Sequence, residues 1–410
     1  MRSILSFALP IGLVASGVLV VAACRDRSGE AGPPASSSGG AGVDAGTFDK
    51  SALLRAFGEC VVADYRTFGA QIVSLDVATA AAGTDKTPAS LEAARTAWKA
   101  AMDTWQRAEI YQFGPAAIST APGGRDMRDP IYAWPLLGRC LVEQTIVSKA
   151  YEAPNWSSTS LVSTRSLAAA EYLLFFTGTD NACPPENEIN TSGSWAGLGA
   201  EELAARRLAY ARAVTTDLVA RAQALSDAWD PAKGNFIDEL ANAGRTKSFA
   251  SEQMAFNAVT DAMFYVDLQL KNAKVGKPAG FVPDCAAPPC LASVESPWAK
   301  RSKDNIRQNI AGYEKLFRGC GANGSGLGFD DLLVAVGAET LSQKVEASVV
   351  EIHAALDALT EPTLEEDIQK NLPGVQRLFD ALRANSALMK AEVVTVLDLE
   401  LPKRVEGDND

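Results

Sequence analysis

Histidine is almost absent from this chain: His353 is the single one in 410 residues. That scarcity removes whole classes of chemistry. The H-E-x-x-H pair of zinc peptidases needs two imidazoles on one helix face, and one histidine cannot supply them. A Ser-His-Asp triad would have to use His353, which sits between Ile352 and Ala354 with no supporting motif; a structural histidine is the plainer reading. Positive charge is also short, with 38 Lys and Arg against 50 Asp and Glu, a net charge of −12 and a pI near 4.8. Neutralising phosphate needs a basic surface, so the balance argues against nucleic acid as a partner. No Cys-x-x-Cys pair or zinc-type Cys/His spacing occurs, and the Gly-rich stretch 319–328 lacks the Lys-Ser/Thr that closes a phosphate loop. Alternating apolar runs are missing too, which argues against a sheet.

What is present begins with a separable N-terminus. Residues 1–23 have the form of a secretory signal: Arg2 gives the positive start, residues 10–21 the apolar stretch, and small residues precede Cys24. The apolar part falls short of a bilayer span. Val21-Ala22-Ala23-Cys24 resembles a bacterial lipobox, whose cysteine becomes the lipidated first residue of the mature chain. Arg25 after it, rather than Asp, resembles lipoproteins sorted to the outer membrane. The expectation is a cell-envelope lipoprotein anchored through Cys24 and facing the periplasm. Residues 24–46 are rich in Gly, Ser, Ala and Pro with Val43 as the one large apolar residue, and they read as a flexible tether.

Residues 47–410 have the length of one large or two ordinary domains. Leu54, Phe57, Val61, Tyr65, Phe68, Ile72 and Leu75 step by three and four, the spacing of a long amphipathic helix. Thr87-Pro88 is a helix cap followed by proline at the first helical position. The next helix carries Leu91, Trp98, Met102 and Trp105 on one face. Further helices are expected over 134–150, 163–178, about 200–229, 249–276, 306–317, 329–359 and 363–399. The Pro/Gly/Cys segment 277–297 is the best domain break, giving an N-terminal bundle over 47–276 and a C-terminal one over 277–410. The predicted class is all-α, two antiparallel helical bundles. Beyond Cys24, six cysteines in an exported chain read as disulfides. Cys285 and Cys290 are close enough to pair, and the preferred partners otherwise are Cys140 with Cys183 and Cys60 with Cys320.

Two carboxylates stand where apolar residues are expected. Leu167, Ala168, Leu174 and Phe175 are the helical neighbours of Glu171, so its side chain is predicted to face the core. Glu109 continues the Trp98–Trp105 stripe and points inward as well. A buried carboxylate needs a cation, a metal or hydrogen-bond donors, or it keeps its proton. Hard cations accept oxygen ligands alone, so Glu109, Glu171 and Glu295 are candidate metal ligands, with Asp129 near the mouth. The competing reading is structural, with Arg107, Arg128, Arg139 or Arg165 paired to these acids.

The runs Trp105-Gln106-Arg107-Ala108-Glu109, Arg128-Asp129-Pro130-Ile131-Tyr132-Ala133-Trp134-Pro135, Glu171-Tyr172-Leu173-Leu174-Phe175, Lys274-Val275-Gly276-Lys277-Pro278 and Val294-Glu295-Ser296, with the Tyr313 to Gly328 turn and the Gly407-Asp408 ending, resemble the imelysin family in order and spacing. That family also carries the peptidase M75 label. The resemblance implies two helical bundles with a functional cleft between them and a role near iron acquisition, with iron or another hard cation as the expected ligand. Within it Arg128, Asp129, Trp134 and Trp105 are candidate cleft residues, and other iron-uptake envelope proteins are candidate partners. The family hallmark, G-x-H-x-x-E, is half kept: with its glutamate on Glu171, Ser166 replaces the glycine and Ala168 the histidine. Alanine ligates nothing. Three functions follow in order: a binding lipoprotein handling iron, another cation or a complex that carries it; an M75-type peptidase; and a diverged interaction module without a metal.

Overall fold

The runs with the clearest three- and four-residue apolar spacing become the longest helices. The computed structural model describes residues 48–405, and among them helix follows helix without a strand. The longer helices are α1 (Lys50–Asp85), α2 (Pro88–Ala108), α3 (Arg139–Ser148), α4 (Leu167–Phe175), α5 (Ala200–Trp229), α6 (Glu252–Met263), α7 (Ser302–Arg318), α8 (Glu339–Asp357) and α9 (Leu372–Leu388). The Asp49 carboxylate accepts the Ala52 amide proton at the start of α1. Thr87 and Ser90 close a capping box over α2, with Pro88 at the first helical position. All seven stripe residues of α1, from Leu54 to Leu75, are buried, each contributing about 1.5–3 kcal/mol.

Helix α1 packs against both α2 and α5, and α4 lies against α5 and α2. On the C-terminal side α8 packs on α9, which packs in turn on a π-helical segment, Val266–Gly276. The architecture is the all-α, two-bundle one. Helix α7 crosses α2 closely because Gly312 has no Cβ; one added there would collide with the Arg107 carbonyl oxygen. The described residues gather in one compact unit, and the α2–α7 contact crosses the division drawn at 276/277. The three disulfides are Cys60–Cys320, Cys140–Cys183 and Cys285–Cys290.

Several elements are shorter than their patterns predict. Helix α3 starts at Arg139 rather than near Trp134, because Pro135 and Gly138 intervene. Helix α4 starts at Leu167, after a 3₁₀ turn over Val162–Thr164. The run 249–276 divides into α6 and the π-helical segment. Gly337, at φ +79°, interrupts 329–359. Asn371 caps α9 by accepting the Gly374 amide proton, which divides 363–399. The signal segment, Cys24, the tether and the Gly407-Asp408 ending lie outside the described residues. Among the described residues no helix is long and apolar enough to cross a membrane.

Candidate functional site

The inward stripe of α2 delivers Gln106 and Glu109 to the interior, where both are essentially inaccessible to solvent. Glu109 is the C-cap residue of α2. Arg128, from the loop after α2, donates to Glu109 Oε1, and its other guanidinium nitrogen reaches Asp129 Oδ1 at 2.8 Å. The Tyr265 hydroxyl donates to Glu109 Oε2 at 2.9 Å, and Lys274 Nζ lies 3.5 Å from the same oxygen. Burial works to raise the pKa of Glu109. The Lys274 and Arg128 charges outweigh it, and the carboxyl titrates below its usual range.

Glu295 approaches from the loop before α7. Its Oε1 accepts from Gln106 Nε2 at 3.0 Å, from the Tyr132 hydroxyl at 2.6 Å and from Lys274 Nζ at 3.0 Å. Its Oε2 is buried with no hydrogen-bond partner. Lys274 is the hub of the cluster. Besides the two carboxylates it donates to Gln106 Oε1 at 2.6 Å and Asn309 Oδ1 at 2.8 Å. Asn309 is oriented by its own Nδ2, which donates to the Gln106 carbonyl oxygen at 2.7 Å and the Gln106 side-chain oxygen at 2.9 Å. The Trp134 and Tyr265 rings stand 5.6 and 5.5 Å from the ammonium.

Glu171 is buried, as its helical neighbours require, but it meets backbone instead of cations. Its Oε1 accepts the amide protons of Trp298 at 3.1 Å and Ala299 at 3.0 Å. Burial pushes its pKa up to about 8; the Ala299 and Trp298 amides pull it down and the Glu295 charge pushes it up. It therefore holds its proton at neutral pH. Ala168 is buried one turn before it, and the buried Ser166 hydroxyl has no partner.

The expected residues thus fall into four environments. Glu109 and Glu295 share Lys274, while Glu171 takes the Trp298 and Ala299 amides. Arg128, Asp129, Gln112, Asp261 and Arg404 line an open cleft of about 330 Å³. Trp105 belongs to the core, its ring 4.9 Å from that of Phe68. Of the arginines proposed as structural partners, only Arg128 reaches one of the three acids. Arg107 reaches Gln308, Arg139 reaches Glu143 and Asp180, and Arg165 reaches Asp217. His353 faces Glu314 at 3.2 Å.

Sequence reasoning missed Lys274, Tyr132 and Asn309 as members of the cluster. Asn309 carried a signal, since it shares a helical face with Ile306, Ile310 and Tyr313. Lys274 and Tyr132 stood within the family-like runs, but nothing in the local pattern marked either side chain as a partner of the acids. Among the described residues no group of three His, Cys, Asp or Glu side chains is disposed to hold a metal ion. The donor set argues the same way: the two carboxylates nearest each other already converge on an ammonium, and Ala168 supplies no nitrogen. These residues do not fit a resident metal.

Comparison with known proteins agrees with this arrangement of helices. The family model described as imelysin, peptidase M75, matches residues 61–391. Iron-regulated protein A of Synechococcus elongatus is 23% identical over 333 residues, covering 80% of each chain. The structure of an imelysin-like protein from Psychrobacter arcticum 273-4 superposes with a TM-score of 0.63 at 16% identity, over 88% of this chain and 98% of that one. A structure described as an iron-regulated protein A precursor from Parabacteroides distasonis ATCC 8503 gives 0.65 at 16% identity, over 85% and 95%.

Proposed function

The chain belongs to the imelysin (peptidase M75) family, and on that premise we propose that it is a non-catalytic binding protein of the cell envelope that serves iron acquisition. The link to iron rests on its likeness to a protein named iron-regulated protein A. The observation that carries the non-catalytic part is the state of the interior acids. Glu109 and Glu295 are engaged by Lys274, Arg128 and hydroxyl donors, and Glu171 keeps its proton. Glu109 has donors on both oxygens, and Glu295, although its Oε2 has no hydrogen-bond partner, already shares its charge with Lys274 through Oε1, so the three acids are not arranged to ligate a bare ion. The ligand is then iron carried in a complex, taken at the cleft where Arg128, Asp129 and Arg404 present both signs of charge. Attachment through a lipidated Cys24 and association with other iron-uptake envelope proteins complete the reading.

Calorimetry of the purified protein against ferric citrate and against calcium alone tests the binding. Saturable heat with ferric citrate, and none with calcium, is expected. Heat with neither would remove the iron reading, and cleavage of casein by the same preparation would favour the peptidase. Cys24→Ser should move the protein from the membrane fraction to the soluble periplasmic fraction; retention in the membrane would refute the lipid anchor.

A further inference from the structure

Lys274 makes an arrangement that a single structural ion pair does not need. Four oxygens surround its Nζ: Gln106 Oε1 at 2.6 Å, Asn309 Oδ1 at 2.8 Å, Glu295 Oε1 at 3.0 Å and Glu109 Oε2 at 3.5 Å. Two are carboxylate and two are amide oxygens, contributed by α2, α7 and the loop between the π-helical segment and α7. Each is fixed by further bonds, with Asn309 Nδ2 held on Gln106 and the Glu295 and Glu109 carboxylates on the hydroxyls of Tyr132 and Tyr265. The lysine side chain is 1% exposed. An all-oxygen shell of mixed charge and amide donors is the environment that hard cations take in proteins. An ammonium, with three protons and no acceptor, satisfies the same shell from inside the chain.

We infer that Lys274 is the built-in cation of this interior, filling an oxygen cage that is itself a latent site for a small hard cation or a primary alkylammonium ion. The cage needs a second positive charge because Arg128 serves Glu109, and without Lys274 the buried Glu295 carboxylate beside it has no cation. This stands apart from the proposed function, since it concerns the core and not what the cleft binds. It also separates this chain's interior from a metal centre: the cation is covalent, so it cannot be chelated or exchanged.

The test uses the purified full-length protein and its Lys274→Ala variant. Wild-type protein should contain no stoichiometric metal by plasma mass spectrometry, and its Tm should not change with EDTA or calcium. Lys274→Ala should lower Tm by about 5 °C or more, as loss of one partner from a buried charge cluster does. n-Propylammonium, which matches the three carbons and nitrogen removed, or calcium should raise the Tm of the variant and leave wild type unmoved. Tetramethylammonium at equal ionic strength is too large for the cage and should do nothing. If the variant does not fold alone, the same additives are supplied during refolding, and recovery of folded protein is the readout. One equivalent of metal in wild type, removed by EDTA with a fall in Tm, overturns the inference. So does a variant that neither cation restores.

Discussion

Glu171 gives this fold a pH response of unusual sign for a carboxylate. Its folded pKa lies near 8, above the usual value of 4.5. Between those values the folded state holds a proton that the unfolded state has released, so stability falls as pH rises through that window. The stabilisation is complete below about pH 4.5 and has been lost above about pH 8. Glu171→Gln keeps a neutral acceptor for the Trp298 and Ala299 amides and removes the titration. We expect the variant to gain a few kcal/mol relative to wild type between pH 5 and 8, read from urea unfolding at several pH values. A parallel pH dependence in both proteins would show that another group governs the slope. Glu109 acts in the opposite direction. Its lowered pKa supplies stability above its unfolded value, lost as pH falls through the folded one. Ala168→His restores the family residue but not its ligand. Ala168 is packed, and Glu171 Oε1 already accepts two amides, so an overpacking cost of about 1–3 kcal/mol is expected, with no gain in zinc or iron binding by calorimetry. The burial of Glu109 and Glu171 was legible because a helix fixes which neighbours flank a residue. Apart from Arg128, their partners were not, since Lys274 and Tyr265 reach Glu109 from 165 and 156 positions away and the Trp298 and Ala299 amides reach Glu171 from 127 and 128.

At the scale of elements, the crossing of α2 and α7 holds the cluster together. Gln106 and Glu109 come from the first helix and Asn309 from the second. Gly312, one turn beyond Asn309, sets how near the helices come. Gly312→Ala must push α7 away from the Arg107 carbonyl and from Ile110. We expect a loss of about 1–3 kcal/mol, seen as a lower urea midpoint with the m-value unchanged. A neutral result would mean that α7 shifts freely, and the oxygen shell around Lys274 would then not depend on that contact. Helix existence was readable here and helix ends were not. The α1 stripe and the Thr87-Pro88 cap are local signals, decided within one or two turns. The start of α4 is decided elsewhere: the Leu167 amide bonds to the Ile131 carbonyl, and the Trp98 indole bonds to the Leu167 carbonyl. No pattern within 163–178 contains those partners.

At the scale of the molecule, the disulfides differ in what each one constrains. Cys60–Cys320 spans 260 positions and ties α1 to the turn after α7, on opposite sides of the division drawn from the sequence. Cys140–Cys183 spans 43 positions, and Cys285–Cys290 only 5. Loop-closure entropy ranks them as about 5–6, about 4 and about 2 kcal/mol of stabilisation through the unfolded state. Pairing of Cys285 with Cys290 was readable from proximity, whereas the two long pairings depend on which helices the fold brings together. The long bridge also matters for cooperativity. The α2–α7 contact is a non-covalent tie between the N-terminal helices and α7, joined by the Lys315–Asp64 ion pair, and the Cys60–Cys320 link is a covalent one, so removing the disulfide leaves the packed contacts to transmit unfolding. Replacing both Cys60 and Cys320 with Ala should therefore lower Tm by about 5–10 °C while the transition stays single. The Cys285→Ala/Cys290→Ala pair should move Tm much less. Differential scanning calorimetry reads both quantities. A transition that splits in two in the Cys60→Ala/Cys320→Ala protein would show that the N-terminal and C-terminal bundles are held as one cooperative unit by the disulfide, and not by the buried contact around Gly312 and Lys274.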